Sequence, residues 1–315
     1  MKALVCENKT LKLEELVEPP APEPGEVRVR VVSATVNPTD RDMLTGSYDL
    51  FLKLLGPGGR LKTGLEFAGI VEKAGGRYRK GERIFGYTNL MKGPKTHQQV
   101  LNVKEKYTAA IPDGLSFEQA ASIAIAGNSG LVLIDDIAKL SAGHHVLING
   151  ASGGVGAFAL QLAKKRGSRV AAIAGRGQEE YLTRLGADDV FDYTRQTVET
   201  LQGKFDAILD FSTLLKFRQV RHLLTEAGIF IPADPLKNLF DIVASPLRKH
   251  KTRYFLVDEG SAGKLSQAAA LVAEGGIKAE IDSRFSLKDY QEAFGRLDRK
   301  GRRGRIVLDM QDTAT

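Results

Sequence analysis

Between residues 144 and 175 the chain reads HHVLINGASGGVGAFALQLAKKRGSRVAAIAG, and no other stretch narrows its fold so far. HHVLIN (144–149) is apolar beyond its histidines and does not alternate, as a strand buried on both faces should be. VGAFALQLAKKRG then reads as a helix, with cations at its C-terminal end and Gly167 as its stop. RVAAIAG (169–175) is a second strand. The alternation continues through EEYLTRLGA as a helix and DVFDY as a strand, with FDAILDF, GIFIPAD and TRYFLV as further strands. Strands alternating with helices predict a doubly wound parallel sheet, here of six strands.

The first 120 residues are built differently. KALVC, LKLEELV, EVRVRVVSATV, EFAGIVEKA, RIFGY and HQQVLNV are short strand candidates, separated by Gly/Pro turns such as PPAPEPGE and GPGG. That pattern predicts a β-barrel or sandwich. SFEQAASIAIAG opens a helix, with Ser116 as N-cap and Glu118 in the first turn. After the alternating region come a helix over AGKLSQAAALVAEGGI, a second over RFSLKDYQEAFGRLDRKG, and a closing strand, GRIVLDM. This tail is expected to pack back on the N-terminal part. The predicted division is 1–120 with 260–315 as one domain and 121–259 as the other, which suits a length of 315 residues.

The glycine turn carries the chemical signal. Ala151, Gly153 and Gly156 occupy the three positions of the dinucleotide fingerprint, with Ala in place of the first Gly. Gly153 lets a pyrophosphate approach the backbone, and Gly156 lets the helix pack on the strand. The free N–H groups at the helix start favour negative charge. The alternative is a tight strand–helix turn with no ligand; the strand before, the helix after and the second strand beyond argue against it. An NAD-binding chain places an acid about 20 residues on, at the end of the second strand. Here the strand ends in Gly175 and the next residue is Arg176. A cation there attracts a 2′-phosphate, so NADPH is expected rather than NADH. A solvated loop arginine is the other reading of Arg176.

Composition excludes several classes. Cys6 is the only cysteine, which rules out intrachain disulfides and a thiolate-rich zinc site. The five histidines include no i, i+4 pair, and His144 and His145 would face opposite sides of a strand. The net charge is +7, but the cations are mostly interleaved with acids. The clusters KKR (164–166), RKHKTR (248–253) and RKGRRGR (299–305) lack aromatic interleaving, so nucleic acid is not the expected partner. No stretch reads as long and apolar enough to span a bilayer. The start, MKALVCENKTLKLEEL, reads as a first strand rather than a signal peptide, and a cytoplasmic location is expected.

Taken together, SATVNPTDRDMLTGSY, TGLEFAGIVEKAGGRYRKGERIFGY, IPDGLSFEQAASIAIAG, VLINGASGGVGAFALQLAK, RLGADDVFDY and GRIVL resemble a known family. It is the zinc-independent, quinone-oxidoreductase-like branch of the medium-chain dehydrogenases/reductases, and within it the alkenal/enone and chloroplast-envelope-type quinone oxidoreductases. The resemblance covers roughly residues 1 to 309. It implies a GroES-like β-barrel domain plus a Rossmann domain, and a homodimer. It implies metal-free hydride transfer from NADPH to a quinone or to the C=C of an enone, in a cleft between the domains. Carried over residue by residue, it places Asn37 by the nicotinamide end and Ser129 where the family has Thr. It makes Ser152, Gly153, Gly154 and Val155 the pyrophosphate cradle. It sets Tyr193 by the adenosine phosphate with Arg176, and Arg305 at the cleft edge. Zinc-dependent members have Cys at the place of Asn37 and GHE where this chain has GLE, so Leu65 replaces a ligand histidine beside Glu66.

Hydride transfer needs positioning, a donor at the developing oxygen and a proton. Tyr48, in TGSY, is the candidate donor, and a packing tyrosine is its plain alternative. Asp42 and Leu44 stand where some quinone reductases carry Tyr and Arg, a departure that bears on the acceptor. Asp40 reads as a helix cap or loop anchor. Two other functions fit the same fold: a catalytically weak NADPH-binding sensor or RNA-binding protein, and an acyl-chain enoyl reductase.

Overall fold

The computed structural model describes residues 1–47, 62–74, 76–90, 92–234, 236–247, 250–254 and 261–311. In chain order the elements are β1 (Lys2–Glu7), β2 (Thr10–Glu15), β3 (Glu26–Val36), α1 (Pro38–Thr45), β4 (Glu66–Lys73), β5 (Arg83–Tyr87), β6 (Val100–Lys104), β7 (Thr108–Ala110) and α2 (Phe117–Leu131). The alternating part follows as β8 (His145–Asn149), α3 (Gly154–Lys165), β9 (Arg169–Ala174), α4 (Glu179–Arg184), β10 (Asp189–Asp192), β11 (Phe205–Asp210), β12 (Leu224–Pro232) and β13 (Lys251–Thr252). The tail is α5 (Ala262–Ala273), β14 (Ile281–Ser286), α6 (Tyr290–Asp298) and β15 (Arg305–Asp309), and short helical turns complete the list.

Two compact units emerge. The first comprises Met1–Asn128, Val257–Gly275 and Ala279–Thr315; the second comprises Ser129–Leu256 and Gly276–Lys278. The divisions fall at 128/129 and 256/257, where the sequence pattern predicts 120/121 and 259/260.

The first unit is the GroES-like one. Its sheet has seven strands, in the order β14-β15-β3-β4-β5-β7, with β6 also paired to β3. β3 organises it. Val27, Val29 and Val31 alternate inward while Arg28 and Arg30 point out. Irregularities between Arg28 and Val29 and between Val31 and Ser33 bend the strand, so β3 serves β4, β6 and β15 in turn. The apolar core joins Val27, Val29, Phe67, Ile84, Leu101 and Ile306. Each fully buried side chain of this kind contributes about 1.5–3 kcal/mol. β1 and β2 form a hairpin whose two-residue turn, Asn8-Lys9, has both φ values positive, at 49° and 62°.

The second unit is the Rossmann one, a six-stranded parallel sheet in the order β10-β9-β8-β11-β12-β13. Chain order reverses between β8 and β11, and the crevice at their carboxyl ends is where such sheets take ligands.

Two details depart from the sequence reading and one extends it. The last helix starts at Tyr290, not at Arg284, because Arg284–Ser286 pairs with β15. Ser116 caps α2 and Glu118 lies in its first turn, as expected, and Gln119, which the sequence reading did not name, completes the cap. Gln119 N donates to Ser116 Oγ (3.1 Å) and Ser116 N to Gln119 Oε1 (3.0 Å), a capping box. Glu118 bonds Arg284 at 2.8 Å. Finally, residues 117–137 do form one helical stretch long and apolar enough to cross a membrane, contrary to the sequence expectation. Most of it is buried within the protein, as a core helix is.

Candidate functional site

In the second unit the glycine turn sits between β8 and α3. Gly150 has φ +79°, and its N–H donates to Ile173 O at 3.1 Å, tying the turn to β9. Gly153 is the N-cap of α3 and is extended, with no side chain capping the helix. The first amides of α3 are thus left to a ligand. The two glycines that follow the fingerprint do different work. A Cβ on Gly156 would lie 2.3 Å from Gly150 O and 2.8 Å from Ala151 Cα, so Gly156 is fixed by packing. A Cβ on Gly153 would meet only Gly150 O, at 3.5 Å. Among the described residues no atom requires glycine there, whereas an approaching pyrophosphate would. The turn therefore fits a dinucleotide.

The same unit gathers three other predicted residues at neighbouring strand ends. Gly175 follows β9, and a Cβ there would lie 2.9 Å from the Tyr193 hydroxyl. Tyr193, after β10, is held by its N–H to Ala174 O at 3.1 Å and leaves its side chain half exposed. Arg176 is exposed. Among the described residues it has no hydrogen bond or ion pair, and its charge helps hold the Asp192 carboxyl below its usual range, behind hydrogen bonds from Thr194. Ser129 is 1% exposed, and its Oγ lacks a partner among the described residues. Ala151 and Ser152 lie on the turn itself, and Gly154 and Val155 open α3.

At the switch point, Asp210 ends β11 and is buried. It accepts from Asn149 Nδ2 (2.9 Å), Ser212 N (3.0 Å), Ser212 Oγ (2.6 Å) and Leu215 N (2.9 Å). That knot fixes the loop after β11, in which Thr213 sits at φ +60°. A β-branched residue there is strained.

The first unit holds a buried polar cluster that the sequence only partly revealed. Glu66, on β4, is fully buried. Its Oε2 accepts from Thr35 Oγ1 (2.6 Å) and Asn37 Nδ2 (2.9 Å); its Oε1 accepts from Ile125 N (2.7 Å) and Arg305 Nη2 (3.3 Å). Arg305 Nη1 donates to Asn37 Oδ1. Asn37 Nδ2 also donates to Thr35 Oγ1 at 3.0 Å. These partners fix the amide, because a flip would set donor against donor and acceptor against acceptor. Both N–H groups of Asn37 are spent, so any further partner must meet Oδ1 as a donor. Arg305 is 8% exposed, with two of its nitrogens committed inside this cluster.

Beneath the cluster, Asp40 ties α1 to the loop before β4. Its oxygens accept from Asn37 N (2.8 Å) and Gly64 N (2.7 Å), the capping and anchoring role expected of it. Burial pushes its carboxyl up; charge on His97, both N–H donors and Lys95 pull the other way. His97 Nε2 donates to Thr35 O at 2.9 Å, since a carbonyl can only accept, and Nδ1 meets the Thr63 hydroxyl at 2.8 Å. Among the described residues Lys95 Nζ bonds the Leu90 (2.6 Å) and Gly93 (3.3 Å) carbonyls, and burial pushes it down to about 8, with Asp40 opposing. No sequence pattern pointed to His97 or Lys95. Tyr48 lies outside the described residues, as does most of the segment after it.

The donor set does not suit zinc. Leu65 is apolar, and the charge facing Glu66 is a guanidinium. Among the described residues no group of three or more His, Cys, Asp or Glu converges.

Comparison with known proteins places this architecture. A sequence model of the alcohol dehydrogenase GroES-like domain matches residues 23–113, and one described as zinc-binding dehydrogenase matches 185–308. The 2-methylene-furan-3-one reductase of Solanum lycopersicum is 28% identical over 310 residues, covering 95% of this chain and 75% of that protein. The NADPH-dependent alkenal/one oxidoreductase, chloroplastic, of Arabidopsis thaliana is 32% identical over 213 residues, covering 64% of this chain and 53% of that one. The solved quinone oxidoreductase of Coxiella burnetii superposes with a TM-score of 0.89 at 25% identity, covering 99% of each chain. The chain belongs to the medium-chain dehydrogenase/reductase superfamily and is one of its quinone-oxidoreductase-like, NAD(P)H-dependent members.

Proposed function

We propose that the protein transfers a hydride from NADPH to a quinone or to the C=C of an α,β-unsaturated carbonyl, without a metal. The single observation that carries the cofactor half is the α3 start: an uncapped helix N-terminus behind Gly153, where a Cβ would meet almost nothing. The backbone amides of Ser152, Gly154 and Val155 would hold the pyrophosphate, while Gly153, whose N–H is donated to Gly150 O, leaves the room for it. Arg176, exposed at the end of β9, with Tyr193 beside Gly175, would meet the 2′-phosphate. The acceptor class follows the relatives, whose names span a furanone, alkenals and enones, and quinones.

When bound, NADPH supplies the hydride; the chain supplies orientation and charge. The fixed Asn37 amide offers an acceptor, suited to an N–H such as that of a carboxamide, and cannot serve an oxygen that gains charge. The donor for that oxygen must be another group, and Tyr48 is the sequence candidate. Tyr48→Phe should lower kcat with little change in KM.

Gly153→Ala should leave the unfolding temperature unchanged and weaken NADPH by about tenfold or more, measured by fluorescence titration. Arg176→Ala should weaken NADPH by about tenfold and leave NADH alone. Equal losses for both would remove the 2′-phosphate role. Turnover is then read as loss of nicotinamide absorbance over a panel of enones and quinones. Tight NADPH binding with no acceptor reduced would make this a binding protein rather than an enzyme.

A further inference from the structure

The run RKGRRGR (299–305) is a stretch that the functional reading leaves unexplained. In the first unit its turn is held at both ends. Arg296, on α6, donates from Nη1 to Arg299 O (3.1 Å) and Lys300 O (3.3 Å). Arg305 N donates to Glu280 O at 2.9 Å. Gly304, at φ +93°, lies so close to Glu280 that a Cβ would fall 2.1 Å from its carbonyl oxygen.

The charges around this turn do not balance. Asp282 gives both oxygens to Arg296, each at 2.8 Å, and also accepts from Arg303 N (2.7 Å) and Ser283 Oγ (2.9 Å). Glu66 is occupied by Arg305 and three neutral donors. Arg296 and Arg305 thus have carboxylates, and Arg302 has none. It is half-buried, and among the described residues no hydrogen bond or ion pair engages it. Burial and then the charge of Arg305 press its guanidinium below its usual range; Arg296 adds to this and Asp282 opposes it. A half-buried guanidinium without an anion is costly, and the exposed Arg299 and Lys300 alongside add to the positive field.

We infer that the Arg299–Gly304 turn is an anion site centred on Arg302, and that its occupant carries a phosphate. A planar guanidinium pairs with phosphate through two N–H groups, and flanking cations suit a dianion better than a carboxylate. The phosphate could be free or part of a nucleotide. The site stands whether or not the protein is a reductase.

Inorganic phosphate is the probe, titrated into the full chain against chloride at matched ionic strength, with binding read by calorimetry and by the unfolding temperature. Saturable phosphate binding is expected, weakened about tenfold in Arg302→Gln, part-restored in Arg302→Lys and unchanged in Arg218→Gln on the other unit. NADPH competing with phosphate for Arg302 would identify the source as a nucleotide; binding of both together would identify a separate phosphate. No phosphate effect beyond chloride, or equal binding by wild type and Arg302→Gln, would overturn the inference. Were Arg302→Gln to misfold, phosphate protection of Arg302 from guanidine-selective dicarbonyl labelling gives the same decision on wild-type protein.

Discussion

Replacing Arg305 by Met tests whether the buried cluster is held by charge or only by shape. The Arg305 side chain is 9% exposed and that of Glu66 is 0%. Met keeps much of the volume and removes the guanidinium. Glu66 then stays buried with three neutral donors, and Asn37 Oδ1 loses its partner. Stranding one member of a buried pair costs about 3–5 kcal/mol. The donors left behind argue for the lower end, about 3 kcal/mol. With a urea slope of about 2 kcal/mol per M, the midpoint falls by about 1.5 M. Glu66→Gln alone should cost less, because an amide still accepts one bond and can pair with Arg305. The double variant should be more stable than the sum of the single costs implies, with a coupling of about 1–3 kcal/mol. Urea unfolding of the four proteins, each followed by fluorescence and circular dichroism, measures the cycle. Arg305→Met within about 0.5 kcal/mol of wild type, or strictly additive costs, would refute the idea that this pair matters electrostatically.

Other consequences are quicker to check. Gly156→Ala should cost about 1–3 kcal/mol in cofactor-free protein, because its Cβ would meet backbone atoms at 2.3 and 2.8 Å. Thr213→Gly should stabilise the second unit by about 0.5–1 kcal/mol, since φ +60° suits glycine, and a loss in thermal unfolding would argue against strain. Lys95 gives a pH signature. Its folded value, about 8, lies below the ordinary lysine value near 10.5, so the unfolded chain holds the proton across that window. Stability should therefore rise as pH climbs from about 8 to about 10.5, by on the order of 3 kcal/mol in total. Lys95→Met should lack that rise in urea midpoints measured across the range.

What could be read from sequence depended on how local the signal was. The β8–α3–β9 turn announces itself because glycine spacing and hydrophobic periodicity are both short-range, and Arg176 could be placed by counting from Gly153. The Glu66–Arg305 pair could not, because the partners are 239 positions apart. They meet only because β15 pairs with β3 through Val307 and Thr35 while β4 pairs with the same strand through Phe67 and Ala34. The resemblance suggested Arg305 only as a cleft-edge residue; antiparallel pairing is what brings its guanidinium to a buried carboxylate. Local signals also misled. Periodicity merged Arg284–Ser286 into a helix because it cannot see β15 alongside. Composition missed a bilayer-length apolar run at 117–137, whose pattern is that of a helix buried in its own protein.

The Glu66 cluster also constrains which chemistry this chain can acquire. A single Leu65→His substitution would supply the histidine of the GHE pattern, but the neighbouring Glu66 carboxylate is already claimed by Arg305, and a metal ion there would meet a guanidinium. Removing Arg305 first strands Glu66, and changing Asn37 first takes the partner from Arg305 Nη1. Each single step toward a metal centre thus passes through a less stable protein, while any step that keeps the arginine keeps the metal out. The arginine works as a plug: while it holds Glu66, that carboxylate has no room for a second cation.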